Sequence, residues 1–140
     1  AMKTAQSAGR VVLAAFVNLS AVCDHLASET AIEIVCAGTN RQITREDVLL
    51  AGAIAEQLLR ERTEATLNDQ ATIAIESWTR FTRELAENKV PLHETLRNSS
   101  GARNLIEIGL ERDIEIAAQL DNLEVVPELD LARWRITSGK

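Results

Sequence analysis

Apolar residues along this chain fall into two patterns. Near the amino end they gather over short distances, continuously in Val11–Val17 (VVLAAFV) and around Glu33 in Ile32–Ala37 (IEIVCA). Runs that short, rich in β-branched residues and without alternation, predict strands buried on both faces. Between them Leu19, Val22, Cys23 and Leu26 recur at helical spacing, after an opening at Asn18-Leu-Ser20. Strand, helix and strand at this distance make a βαβ unit, which predicts parallel strands and a right-handed crossover.

From Thr44 onward the helical period dominates. Thr44-Arg45-Glu46-Asp47 reads as a helix start, with Thr44 placed to cap the Asp47 amide and both acids opposing the helix dipole. Val48–Leu59 is apolar around most of its circumference, so that helix should be deeply packed, with Gly52 marking close approach of another backbone. Ala71–Glu87 is a more amphipathic helix, and Pro91 opens a short one, PLHETLR. Asn98-Ser99-Ser100-Gly101 caps ARNLIEIGL, Gly109 interrupts it, and Asp113–Leu120 continues. Val125–Pro127 suits an edge strand, and the alternation over Leu129–Ile136 predicts a half-exposed strand. Good helix formers over Met2–Ala8 end at Gly9, and Ser138–Lys140 reads as a frayed tail. The expectation is a single α/β domain over 1–140, a layered fold with a largely parallel, mostly buried small sheet flanked by helices.

Composition narrows the partners. Aromatic residues are 3% of the chain, so the core is aliphatic and few rings can stack on bases. A formal charge of −6 argues against nucleic acid and means that an anionic substrate needs a local cation. No apolar run reaches the ~20 residues of a membrane span. Cys23 and Cys36 form no CxxC pair, which suits reduced thiols and a cytoplasmic location.

Candidate chemistry gathers at Ala31–Gly52. Glu46 and Asp47 suit either of two roles, dipole capping or a magnesium site in which carboxylates share the ion with waters and phosphate. Gly38 and Thr39, at a strand end, suit an anion cradle or a plain turn. No GxxxxGK[ST], GxGxxG or Cys-x5-Arg loop is present, and Cys36 reads as a small buried residue. Ser99, Ser100, Gly101 and Arg103 form a second anion-friendly stretch, for which N-capping is the simpler role. Asn18, after the first run, either faces the same cleft or caps its helix. His25 and His93 are isolated, and Asp113 and Asp121 read as structural acids.

Taken in order, VVLAAFVNLSAV, IVCAG, ITREDVLLAG and NSSGARNLIEIGLERDIEIAAQLDNLEVVP resemble the carboxy-terminal half of the 2-phosphosulfolactate phosphatase (ComB-like) family. The resemblance implies a magnesium-dependent phosphatase acting on a small sulfonated or carboxylated 2-hydroxy acid. Family members are about twice as long, and their first half carries an Asp-Val-x-Arg-Ala strand and a Thr-Asn-Gly-Thr loop, neither of which occurs here. Carried over by position, Asn18, Cys36, Gly38, Glu46, Asp47, Ser100 and Gly101 match places that line the family's cleft. Gly52, Gly109, Asp113 and Pro127 match as packing and turn residues. The attacking group stays unassigned. The alternative is a non-catalytic ligand-binding or oligomerisation domain lacking the family's first half, which would expose apolar surface and form a homo-oligomer to cover it.

Overall fold

A computed structural model of the chain describes residues 7–60, 62 and 64–138. Among the described residues six α-helices and one β-hairpin follow in order: α1 (Leu19–Leu26), α2 (Arg45–Arg60), α3 (Asp69–Asn88), α4 (Leu92–Leu96), α5 (Ser100–Glu107), α6 (Glu111–Ala117), β1 (Pro127–Asp130) and β2 (Arg135–Ser138).

Two long helices form the frame. The predicted all-round apolar character of α2 is met by burial of Leu49, Gly52, Ala53, Ile54 and Ala55. Helix α3 presents Ala74, Trp78 and Phe81 to it, and Asn68 starts α3 by accepting from the Ala71 amide at 2.8 Å. Gly52 explains their closeness. A Cβ there would overlap the carbonyl oxygen of Ala74, so the helix tolerates the glycine because the α3 backbone occupies that space. Trp78 bridges Phe16 and Phe81, each ring centroid 5.9 Å from its own. Leu19 and Cys23 from α1, Leu92 and Leu96 from α4, Ala102 from α5 and Ile114 from α6 complete the cluster.

The strand expectations fail where the helical ones hold. Val11–Val17 is not a strand: Val12 makes an isolated bridge to Glu128, and Phe16–Asn18 tightens into a 3-10 turn. Leu13 donates to Pro127, and Leu123 donates to Val17, so this segment is tied to the chain's far end instead of a parallel neighbour. Ile32–Ala37 is also not a strand and is largely exposed. The sheet is two antiparallel strands, β1 paired with β2 in the register Leu129↔Ile136, so a largely parallel buried sheet does not describe the molecule. The single strand expected over Leu129–Ile136 is a hairpin turning at 131–134, and the edge strand expected at Val125–Pro127 begins at Pro127. Asp130 closes that turn by accepting from the Ala132 and Arg133 amides, both at 2.9 Å. Of the tail, Ser138 ends β2 and the last two residues lie outside the described ones, as do residues 2–6 of the helix expected over Met2–Ala8. Among the described residues no helix is long and apolar enough to cross a membrane.

Asp121 supplies a link that local pattern does not reveal. Its carboxylate accepts from the Ser20 amide at 2.6 Å and the Ser20 hydroxyl at 2.8 Å, capping α1 from the other end of the chain. That is the structural role expected of this acid.

Candidate functional site

Three of the sequence's candidate stretches meet at the first turn of α2. The loop before it turns sharply at Thr39–Gln42, whose backbones exchange hydrogen bonds of 3.1 and 2.9 Å. Asn40 and Arg41 both take left-handed conformations (φ 53° and 63°), the pattern of a tight hairpin turn. This turn returns the chain to α2 so that Asp47 reaches backward, accepting from the Gly38 amide at 2.7 Å. The Gly38 amide is thus spoken for by a carboxylate, and Thr39 holds the turn with its backbone.

Cys36 lies beside this link and is exposed, contrary to the buried role its type suggested. Its sulfur donates to the Asp47 carbonyl at 3.6 Å. Partial burial of the sulfur, and then the Asp47 charge, push the thiol above its ordinary range, which makes it a poor nucleophile at neutral pH.

Glu46 reaches toward α5. A Cβ on Gly101 would overlap Glu46 Oε1, so the absence of a side chain at Gly101 admits the carboxylate. The other oxygen, Oε2, is buried without a hydrogen-bond partner among the described residues. A buried acceptor in that state is costly unless something else satisfies it. Ser99 caps α5 by accepting from the Ala102 amide at 3.1 Å. Arg103 folds back over the same loop, donating to the Asn98 carbonyl at 2.7 Å and to the Ser100 hydroxyl at 3.1 Å. It is exposed and has further N–H groups to offer.

Gly38 is thus brought to Asp47 and Gly101 to Glu46, two contacts made from adjacent residues of α2, with Ser99, Ser100 and Arg103 on the loop beside Gly101. Asn18 joins neither: its side chain is buried, accepting from the Ala15 amide and donating to the Leu13 and Val125 carbonyls. It neither caps α1 nor touches this cluster; it ties the first segment to the last.

Thr44 departs from its predicted role. Its hydroxyl is buried and has no hydrogen-bond partner among the described residues, so it does not cap α2. Thr44 instead lines a cavity of about 430 Å³ with Ile43, Arg45, Ser77, Arg80 and Phe81 among its walls. Arg45 lies over the Phe81 ring, 5.5 Å from its centroid. Sequence pattern did not single out these two arginines, because neither belongs to a motif and the α2–α3 packing brings them together.

The arrangement offers one acidic wall and one basic loop. Oxygen donors of Glu46 and Asp47 suit a hard divalent cation, and the α5 amino end with Arg103 suits an anion. Among the described residues no group of three or more His, Cys, Asp or Glu converges as a metal cage. Two carboxylates are the complement that magnesium uses when water and phosphate fill the remaining positions.

A family model described as 2-phosphosulpholactate phosphatase matches residues 1–131. The chain belongs to this family. It is 40% identical over 119 residues to a probable 2-phosphosulfolactate phosphatase of Thermotoga maritima, covering 85% of this chain and 48% of that protein. A similarly named protein of Deinococcus radiodurans is 38% identical over 132 residues, 92% of this chain and 51% of the relative. One of Carboxydothermus hydrogenoformans is 35% identical over 136 residues, 96% of this chain and 53% of the relative. The chain spans about half the length of the curated relatives it matches, in keeping with the family's carboxy-terminal half.

Proposed function

We propose that this chain forms the metal-bearing wall of a magnesium-dependent phosphatase that hydrolyses the phosphate monoester of a small sulfonated or carboxylated 2-hydroxy acid, 2-phosphosulfolactate being the model substrate. The observation that carries the reading is the buried, unpartnered Oε2 of Glu46, held beside Gly101 and one residue from Asp47. A Mg²⁺ ion fits this orphaned oxygen by chemistry, since hard cations take carboxylate oxygen. Glu46 and Asp47 would hold it, and when bound it supplies polarisation of the phosphoryl oxygens.

The chain's own groups have separate tasks. Asp47 locks the 36–39 loop through the Gly38 amide, which fixes the direction of its second oxygen. Ser99 organises the amino end of α5, and Arg103, hinged on Asn98 and Ser100, orients the sulfonate or carboxylate end of the substrate. The attacking group is not assigned to any residue of this chain.

Phosphate release from 2-phosphosulfolactate and phospholactate, with and without magnesium, tests the reading. Activity that EDTA abolishes and that Glu46→Gln or Asp47→Asn lowers at least about 100-fold supports it. Equal rates in the three proteins would remove both carboxylates from the mechanism. A second reading, a non-catalytic binding or assembly domain, is favoured by the exposure of Ile34 and Val35; absence of turnover together with absence of magnesium binding would support it.

A further inference from the structure

Residues 31–37, Ala-Ile-Glu-Ile-Val-Cys-Ala, run without helix, turn or bend. Their composition is that of a strand buried on both faces. Yet Ile34 and Val35 are 37% and 43% exposed. The two are neighbours in sequence, and neither is buried against the helical core. The backbone is equally open, because the segment makes no backbone–backbone hydrogen bond to any described residue. Its ends are nonetheless anchored, by the Glu29–Arg10 ion pair at 2.6 Å on one side and the Cys36–Asp47 contact on the other. A mostly apolar segment, broken only by Glu33, held near both ends and without backbone–backbone hydrogen bonds to described residues, is open to strand addition.

We propose that residues 31–37 accept a β-strand from the amino-terminal half of this family's chain. Coverage identifies the occupant: the relatives have about as much chain again beyond what this sequence matches. Both the backbone groups and the Ile34 and Val35 side chains await partners, which suits a neighbour of domain size, whereas a second copy paired about a two-fold axis would close one edge. Leu13 and Val125 leave further apolar surface, each 39% exposed. The inference concerns assembly, and it stands whether or not Glu46 and Asp47 hold a metal.

Hydrogen exchange at amides 32–37 tests it, read in the 140-residue chain and in a chimera with the unmatched half of the Thermotoga maritima relative joined ahead of it. These amides should exchange freely in the chain alone and roughly 100-fold more slowly in the chimera, with Ile34→Lys removing the protection. A chimera whose 32–37 amides exchange as in the chain alone overturns the proposal, whether or not the added half folds. Protection in the chain alone that grows with concentration and is lost in Ile34→Lys also overturns it, by naming a second copy as occupant. Independently of the chimera, Ile34→Lys should leave the melting temperature of the chain unchanged while Leu49→Ala lowers it; an equal drop in both would mean that Ile34 is already buried and would sink the idea.

Discussion

Gly101 shows how one missing side chain can shape a site. Its open Cα face is filled by the Glu46 carboxyl, so Gly101→Ala must push that group away. Magnesium affinity should fall roughly 10- to 100-fold by calorimetry, as for changes that reorient a ligand. The fold should lose about 1–3 kcal/mol from overpacking, measured by denaturant unfolding. Unchanged magnesium binding in a folded Gly101→Ala protein would separate Glu46 from the metal. The sequence announced both partners, as a polar helix start and as a capping loop. It did not announce that they touch, because that contact spans several intervening elements. Asp130 offers a residue-scale pH prediction. The Arg133 amide first, then its side chain and the Ala132 amide, hold this carboxyl below the usual aspartate range. A folded value lower than the unfolded one gives a contribution present above the unfolded value and lost as pH falls through the folded one. The Arg133 amide resonance should therefore shift below the usual aspartate range, and titration at the ordinary aspartate value would refute the link.

At the scale of elements, helices were legible and strands were not. Helical spacing is an internal property of a segment, so α2 and α3 could be read directly from their apolar faces. Even Gly52 carried its meaning, because a glycine inside so apolar a helix needs a close backbone to account for it. Gly52→Val should force α2 and α3 apart and cost at least about 1–3 kcal/mol, read as an earlier denaturant midpoint with the helical circular dichroism otherwise retained. No change would mean that the two helices are not in contact there. A strand, by contrast, is completed by its neighbours. Val11–Val17 and Ile32–Ala37 have the composition of buried strands but find no parallel partner among the described residues. The hairpin was missed for a different reason. Alternation from Leu129 to Ile136 continues through the turn, and Trp134 enters the left-handed region (φ 52°), which a tryptophan does not advertise.

At the scale of the whole molecule, the chain presents an ordered helical core with unsatisfied margins. The chain belongs to its family and spans about half the length of the relatives it matches. The carboxylates at the start of α2 and the loop at the start of α5 are placed by the core, whereas apolar residues 31–37 face outward. Metal binding can thus be asked of this chain directly, apart from turnover. The most direct measurement is paramagnetic broadening of amide resonances by Mn²⁺ used in place of Mg²⁺. Broadening centred on Gly38, Glu46, Asp47 and Gly101, relieved by excess Mg²⁺ and absent in the Glu46→Gln/Asp47→Asn double variant, is the predicted result. Broadening centred elsewhere, or unchanged in the double variant, would contradict a metal site at the head of α2.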